Sequence, residues 1–332
     1  MVRFSWRVKA LAHLEMARPY TVCHAGLIAV AGAALASNGH GAAWRIGLAG
    51  VVTLCGWEAG LYAGDYYDRD LDAHSKPTRP VPSGRVSARE AFLTMCGLIA
   101  FGYACALVLG FENLLLAMIT TALGIAYSKV FKARALLGNF DRGLLGACAA
   151  LFGGAAVGKM FAPAVLILCV VVFFHDAASN LVGTVRDVEG DRTSGYATVP
   201  VVYGVDTAIT LAAALALASL IGSIALLGFQ RAPVLSWALF LGSFVLAAYA
   251  YLSLWLRRTH LTRPEALAAH KWLVVERLML ISAFLAATLA PGVALAMLVG
   301  ATVLTISTQL LLRDRYEPQV TERQLIDSYA GG

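Results

Sequence analysis

The sequence predicts an all-α protein, a polytopic transmembrane helical bundle. Of its 332 residues, 59% are hydrophobic and only 14% are charged, and the mean hydropathy is +0.71. A soluble protein carries about 25% charged residues. The apolar residues form repeated runs of about the 20 residues that a bilayer requires. These observations indicate a single transmembrane domain over residues 1–332.

We expect nine or ten spans, preceded by a cytoplasmic interfacial segment at residues 1–18. In that segment basic residues surround Trp6, Val8 and Leu11, which is typical of a helix lying at the membrane surface. Pro291–Gly292 is a turn signal between the last two apolar runs, and the count is nine if one of those runs is re-entrant. The expected spans lie near residues 19–37, 44–63, 90–110, 112–128, 142–158, 161–183, 206–228, 232–256, 271–290 and 292–312.

The basic residues predict how the chain crosses the membrane. If the N-terminus is cytoplasmic, ten spans place every basic residue except Arg45, Lys159 and Arg231 on the cytoplasmic side. Both termini, the connections 64–89 and 184–205, and the active site then lie on that side. We expect an integral protein of a bacterial plasma membrane. The net charge of +6 does not indicate nucleic-acid binding, because the basic residues lie in loops rather than in a patch.

Three carboxylates follow the second span, in the stretch Gly64–Gly84. Asp65, Asp68 and Asp72 have the spacing i, i+3, i+7, which on a helix brings them within about 60° of one another. Asp70 points away from this face. Three acids at a bilayer boundary repel one another, and a charge inside a membrane helix costs about 2.5–3.5 kcal/mol. A hard divalent cation with oxygen ligands would offset this charge.

A second acidic cluster follows the sixth span. Asp187 and Asp191 are four residues apart, and Asn180 and Thr184 continue their face toward the membrane, whereas Glu189 does not lie on it. A lone Asp–Arg pair at a helix end is an ordinary interface anchor. Two carboxylate faces on the same side of the membrane favour a functional site instead.

Two facing carboxylate clusters joined by Mg²⁺ form a site for a diphosphate. Mg²⁺ binds a few carboxylates together with substrate phosphate oxygens, and it neutralises the charge that develops on a leaving diphosphate. Nearby basic side chains would bind the same group, either as a bidentate Arg or as a Lys point charge. The candidates are Arg18, Lys76, Arg79, Lys129 and Arg186.

These motifs resemble the UbiA superfamily of intramembrane prenyltransferases. The resemblance covers roughly residues 15–260. Its sharpest pieces are DYYDRDLD at 65–72, RPVPSG at 79–84, YSK at 127–129 with LLGN at 136–139, and RDVEGDR at 186–192. The RPVPSG and DVEGD pieces are most similar to the branch that acts on geranylgeranylated lipids, quinones and chlorophyll-type acceptors.

The resemblance implies a helical bundle around a central cavity that opens laterally to lipid, with the chain of a prenyl diphosphate donor in that cavity. Ionisation of the donor gives an allylic cation, which an apolar or aromatic acceptor attacks. The expected function is therefore Mg²⁺-dependent prenyl transfer in isoprenoid biosynthesis. By position, the Mg²⁺ ligands are Asp65, Asp68, Asp72, Asp187 and Asp191, and the diphosphate contacts are Arg18, Arg79, Lys129 and Arg186.

Two positions depart from the family pattern and keep an alternative open. Gly64 stands where the family has Asn, and Thr184 stands where relatives often have Asp or Asn. One family branch cyclises a prenyl diphosphate to a terpene without an acceptor, and such a cyclase is the alternative function. A transporter is a third interpretation, but transport sites usually lie at the membrane midplane rather than at the cytoplasmic ends of spans.

Several other residues are candidates for the cavity wall. His175 and Asp176 lie inside the sixth span, either as a base or as a polar pair packed between helices. Glu58 lies on the face of the first cluster, where it would line the cavity or hold a positive residue. Tyr62 belongs to an aromatic group that would stabilise an allylic cation or form an interface belt. We interpret Asp141–Arg142 as a helix cap with a snorkelling partner.

Overall fold

A computed structural model describes residues 4–313. Arg3, Arg315 and Arg323, which entered the topology prediction, lie outside the described residues, as do both ends of the expected domain. Within the described range the regular structure is helical, with one isolated bridge between Arg134 and Ala197.

Fourteen α-helices form the described part of the chain. In order they are α1 (Trp6–Ala17), α2 (Pro19–Ser37), α3 (Ala43–Tyr67), α4 (Arg69–Ser75), α5 (Ala88–Leu109), α6 (Phe111–Ala126), α7 (Leu136–Ala156), α8 (Pro163–Arg186), α9 (Val188–Thr193), α10 (Val199–Tyr203), α11 (Val205–Phe229), α12 (Val234–Arg257), α13 (Arg263–Ala286) and α14 (Pro291–Thr308). Single π-helical turns continue α6 at Tyr127–Phe131 and α14 at Gln309–Arg313.

Ten of these helices are long and coincide with the ten expected spans. By length and composition, eight of the ten can cross a membrane. The other two, α7 and α13, carry charged residues and are mostly buried between their neighbours. The last two apolar runs form separate helices, α13 and α14.

The centre of the bundle is the crossing of α2 and α7. A Cβ atom on Gly32 would lie 2.3 Å from the carbonyl oxygen of Ala150, and one on Gly153 would lie 2.0 Å from that of Ala29. Only glycine permits this approach of the two backbones, which is the small-residue packing typical of membrane helices. Around the crossing, Leu, Ile, Val and Ala side chains of α8, α13 and α14 complete the core.

The N-terminal helix α1 is fastened to the first motif region by two ion pairs. Lys9 contacts Glu90 at 2.5 Å, and Arg85 contacts Glu15 at 2.8 Å. Arg18 then adopts a left-handed conformation with φ of 43°, and Pro19 starts α2 directly after it. This sharp turn directs the Arg18 side chain back toward the end of α3.

The segments expected as loops contain helices. The end of α3 and all of α4 lie within 64–89, and the end of α8, α9 and α10 lie within 184–205. Hydrogen bonds run through the junction at Asp68, whose N–H donates to Gly64 O at 2.9 Å, while the N–H of Asp72 donates to Asp68 O at 2.7 Å. Because the helical bonding continues, the three acids keep the shared face that their spacing predicts.

Candidate active site

Each carboxylate of the first motif contacts a cationic side chain. Arg18 donates to Asp65 at 2.7 Å, and Arg79 donates to Asp72 at 2.6 Å. The ammonium group of Lys132 contacts Asp68. The carboxylates are buried, with side-chain exposures of 5% for Asp65, 10% for Asp68 and 5% for Asp72. This motif is therefore a closed set of three ion pairs.

The second motif is more open to solvent than the first. Asp187 caps the end of α8 and accepts a hydrogen bond from Nε of Arg186 at 3.1 Å, with 26% of its side chain exposed. Asp191 lies in α9 and accepts a hydrogen bond from the hydroxyl of Thr198 at 3.0 Å. The donor of this hydrogen bond is thus neutral, whereas each acid of the first motif also contacts an arginine or a lysine.

The two motifs meet through Tyr196, which follows α9. Its hydroxyl donates to Asp68 at 3.4 Å, and the ammonium group of Lys132 lies 5.4 Å from the centre of its ring. A residue of the second motif region therefore contacts an acid of the first. The two motif regions therefore lie side by side.

A backbone contact fixes the same junction. The N–H of Ala135 donates to Ala197 O at 2.6 Å, and the N–H of Ala197 donates to Ala133 O at 3.0 Å. These bonds join the connection after α6 to the connection after α9. They keep Lys132 and Tyr196 together against Asp68.

At this junction, burial and neighbouring charges shift the pKa values of two groups toward neutral pH. Burial, together with Asp187, raises the pKa of Asp191 to about 6. Burial, together with Arg79, lowers the pKa of Lys76 to about 8. Burial alone would raise the pKa of Asp187. The ion pair with Arg186 has the larger effect and holds that pKa below its ordinary value.

The donor set fits a hard divalent cation. Five carboxylates in two adjoining clusters offer oxygen ligands, and Mg²⁺ binds through a few carboxylates while leaving positions for substrate phosphate. The cations that surround the acids suit an anion that arrives with the metal. Asp65, Asp68, Asp72, Asp187 and Asp191 could therefore hold Mg²⁺.

The other predicted contacts of the site lie around a π-helical turn. Lys129 on this turn lies 4.7 Å from the centre of the Tyr67 ring rather than against an aspartate. Asn180 donates to the hydroxyl of Tyr127 at 3.3 Å. The hydroxyl of Thr184 donates to Leu181 O at 2.8 Å, which turns it back onto its own helix.

Two predicted wall residues lie on α3. Tyr62 is buried, and its hydroxyl contacts Nδ1 of His13 on α1 at 2.9 Å. Glu58 forms no ion pair with any described residue, because nearby Arg18 is engaged by Asp65. Tyr62 therefore joins α1 to α3, while the carboxylate of Glu58 remains available.

His175 and Asp176 belong to a polar network between helices. Asp176 contacts Nε2 of His24 on α2 at 2.8 Å, and Nε2 of His175 contacts Glu276 on α13 at 2.9 Å. Ser243 on α12 donates to Glu276 at 2.7 Å. This geometry favours a polar pair packed between helices over a catalytic base, the other predicted role.

A cavity of about 190 Å³ lies beside that network, between α8, α11, α12 and α13. His175 and Glu276 line it together with hydroxyl groups, including those of Ser219 and Tyr251. Of the predicted pair, His175 lines this cavity. Asp176 does not line it, because its side chain contacts His24 on α2.

A scan against family models matches residues 25–275 to the UbiA prenyltransferase family. The chain belongs to this family. Its curated relatives include digeranylgeranylglyceryl phosphate synthases of two organisms. That of Methanopyrus kandleri is 36% identical over 209 residues, covering 62% of this chain and 75% of the relative. That of Ignicoccus hospitalis is 35% identical over 234 residues, covering 69% of this chain and 74% of the relative.

Solved structures share the fold of this UbiA family member. A digeranylgeranylglyceryl phosphate synthase structure aligns with a TM-score of 0.63 and 24% identity, covering 89% of this chain and 99% of that one. A UbiA homologue from Archaeoglobus fulgidus, bound to GPP and Mg²⁺, aligns with a TM-score of 0.58 and 18% identity, covering 91% and 99%.

These findings confirm the predicted family, fold class and enzyme class. The chain is an all-helical integral membrane protein and a prenyltransferase. The expectation of a bacterial membrane has no support, because the matched relatives are archaeal.

Sequence reasoning missed several residues of the site in this UbiA family member. Lys132 lies three residues after Lys129, and that spacing within a basic connection was the available signal. Tyr196 and Thr198 lie just after the second motif, where no local pattern marks them. Arg142 was interpreted as the partner of a helix cap, but α7 begins at Leu136, so Arg142 lies inside the helix.

Proposed function

We propose that this chain moves an isoprenyl group from a prenyl diphosphate to an acceptor at a Mg²⁺ site formed by its two aspartate motifs. The observation that supports the proposal is the contact of Tyr196 and Lys132 with Asp68, because it brings the region of the second motif against the first. The names of the relatives, digeranylgeranylglyceryl phosphate synthases, suggest an acceptor of the prenylated glyceryl phosphate class.

The residues present account for the chemistry that such a transfer needs. When bound, Mg²⁺ would neutralise the charge that develops on the leaving diphosphate. Arg79 and Lys132 lie against Asp72 and Asp68, so a diphosphate that reaches these carboxylates also meets two cations. Arg18 and Arg186 supply further positive charge at the two ends of the site.

The reaction balances without a covalent enzyme intermediate. The bond between C1 of the isoprenyl chain and the diphosphate oxygen breaks, and its electron pair leaves with the diphosphate. A bond forms between C1 and the acceptor atom, which loses a proton. The demand on the protein is electrostatic stabilisation and exclusion of water, which the buried first motif supports.

We place this site on the cytoplasmic side. The support is the distribution of basic residues, of which only Arg45, Lys159 and Arg231 fall on the other side in a ten-span topology.

The test is diphosphate release by the purified protein in nanodiscs, with Mg²⁺ and C10, C15 or C20 prenyl diphosphates. We expect release that depends on an added acceptor and yields a prenylated adduct. Release without acceptor, giving a cyclic product, would establish a terpene cyclase instead. An intact protein that releases no diphosphate with any donor and acceptor would contradict the proposal.

A further inference from the structure

The cavity between α8, α11, α12 and α13, here called the lateral chamber, is separate from the aspartate site. His175 and Ser179 line it from α8, the helix at whose end Asp187 lies. At 1.5 Å per residue, His175 lies about 18 Å along the helix axis from Asp187. It also lies about 140° around the helix from Asn180, which contacts the π-helical turn of the aspartate site. The lateral chamber therefore occupies a different face and a different depth of α8.

The lateral chamber reaches the outer surface of the bundle between α11 and α12. Leu217 of α11 and Phe244 of α12 line it, and these residues are 55% and 43% exposed. Both helices are long and apolar enough to cross a membrane, so their exposed residues face lipid. Small side chains such as Ala216 and Ala247 leave room between the two helices. A molecule dissolved in the bilayer can therefore enter the chamber from the side.

The wall of the lateral chamber carries hydrogen-bonding groups. Glu276 accepts a hydrogen bond from Ser243 at 2.7 Å and contacts Nε2 of His175 at 2.9 Å. The hydroxyl of Ser219 is buried and has no hydrogen-bond partner among the described residues. An unpaired hydroxyl in a membrane interior is unfavourable, and buried polar groups are normally satisfied. Ser219 therefore indicates that a bound molecule completes the hydrogen bonding of the chamber.

The charges around the lateral chamber favour an uncharged ligand. Among the described residues that line it, none is a lysine or an arginine, so a phosphate would meet the carboxylate of Glu276 without a cation to bind it. His175 and nearby Arg277 already act on that carboxylate, so a cationic ligand would add an unbalanced charge. An unbalanced charge inside a membrane bundle is costly. The polar group of the ligand is therefore neutral.

A hydroxyl group is the neutral group that suits this wall best. A hydroxyl can accept a hydrogen bond from Ser219 and donate one to Glu276, whereas a quinone carbonyl or an ether can only accept. The remaining wall is apolar and includes Leu220 and Phe240, which suit a hydrocarbon chain.

We propose that the lateral chamber binds an uncharged lipid alcohol, with its hydroxyl bonded to Ser219 and Glu276 and its chain leaving between α11 and α12. An isoprenyl alcohol and a straight-chain fatty alcohol share this chemistry, and the experiment distinguishes them. The chamber lies outside the aspartate site, so this inference goes beyond the proposed function and does not depend on it.

The experiment maps where a lipid alcohol binds. The full chain in nanodiscs receives a C15 isoprenyl alcohol that carries a photoreactive diazirine on its chain. Mg²⁺ and an unreactive prenyl thiolodiphosphate are added in a parallel sample to occupy the aspartate site. After irradiation, mass spectrometry identifies the labelled peptides. We expect saturable labelling of α11 or α12 near Leu217 or Phe244, unchanged by the thiolodiphosphate.

Unlabelled competitors define the polar group and the chain. The C15 isoprenyl alcohol should compete about tenfold better than its methyl ether or more, because the ether cannot donate to the carboxylate and hydrogen bonds to charged groups have this worth. Pentadecanol, a straight-chain alcohol, is the second competitor. Stronger competition by pentadecanol assigns the chamber to fatty alcohols, and weaker competition assigns it to isoprenyl alcohols.

The variants assign binding to the lateral chamber. Ser219→Ala should raise the concentration for half-maximal labelling about 2–10-fold, as expected for one hydrogen bond. Ser236→Ala is the matched control and should behave as wild type, because the hydroxyl of Ser236 is also buried without a described partner but does not line the chamber. Ala216→Phe fills the chamber and should abolish labelling, and Ser219→Ala decides the question if this variant does not fold.

Four results would overturn the inference. They are labelling that the thiolodiphosphate abolishes, equal competition by the alcohol and its methyl ether, equal effects of Ser219→Ala and Ser236→Ala, and absence of saturable labelling in α11 and α12. The last result would show that the chamber holds water alone. None of these measurements follows prenyl transfer, so the proposed function is decided by diphosphate release and not by them.

Discussion

The two aspartate motifs carry the same side chains in different surroundings. Asp65 and Asp72 are 5% exposed and each contacts an arginine, whereas Asp187 is 26% exposed and Asp191 is held by a hydroxyl group. Two cations of the first motif, Arg18 and Lys132, come from distant parts of the chain, while Arg186 is the neighbour of Asp187. The first motif therefore organises the fold around the site, and the second motif remains accessible to ligand.

Because of this difference, residues of the two motifs can matter equally for activity and unequally for the stability of the fold. Removing one partner of a buried ion pair leaves an uncompensated charge, which is strongly destabilising. Removing one partner of a pair that is partly open to water, such as Asp187 and Arg186, costs less. Substitutions in the two motifs should therefore agree in activity and differ in stability.

The largest expected effect is the loss of turnover in either motif. Asp68→Ala and Asp187→Ala should each lower kcat/KM by about 10²–10³-fold or more, because metal stabilisation of developing charge is worth several kcal/mol. Acceptor-dependent diphosphate release measures this in protein that elutes as a monodisperse species. Wild-type turnover in both variants would rule out a site shared by the motifs.

Substitutions in the two motifs should lower the free energy of unfolding by different amounts. Asp72→Asn leaves Arg79, whose side chain is 12% exposed, without its carboxylate and should destabilise the protein by about 3 kcal/mol. Asp187→Asn should cost less than Asp72→Asn, because the side chain of Asp187 is 26% exposed and that of Asp72 is 5% exposed. Thermal or denaturant unfolding in detergent compares the two variants. Equal destabilisation would contradict the contrast between a closed and an open motif.

The next effect concerns two lysines on one connection. Lys132→Gln removes the cation at Asp68 and should lower kcat/KM by about 10–100-fold, as hydrogen bonds to charged groups contribute about 1.5–3 kcal/mol. Lys129→Gln is the matched control, because Lys129 lies against the ring of Tyr67. We expect it to lose less than Lys132→Gln in the same assay. The reverse order would show that Lys129 is the diphosphate contact.

A smaller effect is expected at the contact between the motifs. Tyr196→Phe removes one hydroxyl that lies 3.4 Å from Asp68 and should reduce kcat/KM by about 2–10-fold. Lys132 and the backbone bridge keep the junction together, so the unfolding temperature should change little. A loss as large as that of Asp68→Ala would mean that Tyr196 has a chemical role of its own.

The smallest effect is expected at Gly64. A Cβ atom there meets no other atom within 4 Å, so Gly64→Asn should fold normally. Activity should stay within about threefold of wild type, since substitutions at uncrowded positions cost within about 0.5 kcal/mol. Complete loss of activity would show that ligand occupies the space beside Gly64.

The sequence predicted the helices and the acids because both depend on local patterns. Apolar runs of bilayer length mark the spans, and the spacing of Asp65, Asp68 and Asp72 survives the junction between α3 and α4 because helical hydrogen bonds continue through it. The partners of the acids could not be predicted in this way. Tyr196 reaches Asp68 from 128 residues away, a contact that only tertiary packing creates.

Two features of the structure lie beyond any local pattern. His24 contacts Asp176 across the interface of α2 and α8, and nothing in the sequence marks that contact. The proposed cap at Asp141–Arg142 depended on a helix start that the structure places at Leu136. Helix boundaries and contacts between distant helices are set by packing, which a single sequence does not reveal.

The most direct test of the account is Mg²⁺-dependent binding of an unreactive prenyl thiolodiphosphate to wild type, Asp68→Asn, Asp187→Asn and the double variant. One shared site predicts that each single variant loses most of the binding free energy and that the double variant loses little more. Two independent sites would lose bound ligand additively: each single variant would still bind half as much ligand as the wild type, and the double variant would bind none. That additive result would contradict the claim that both motifs hold one diphosphate.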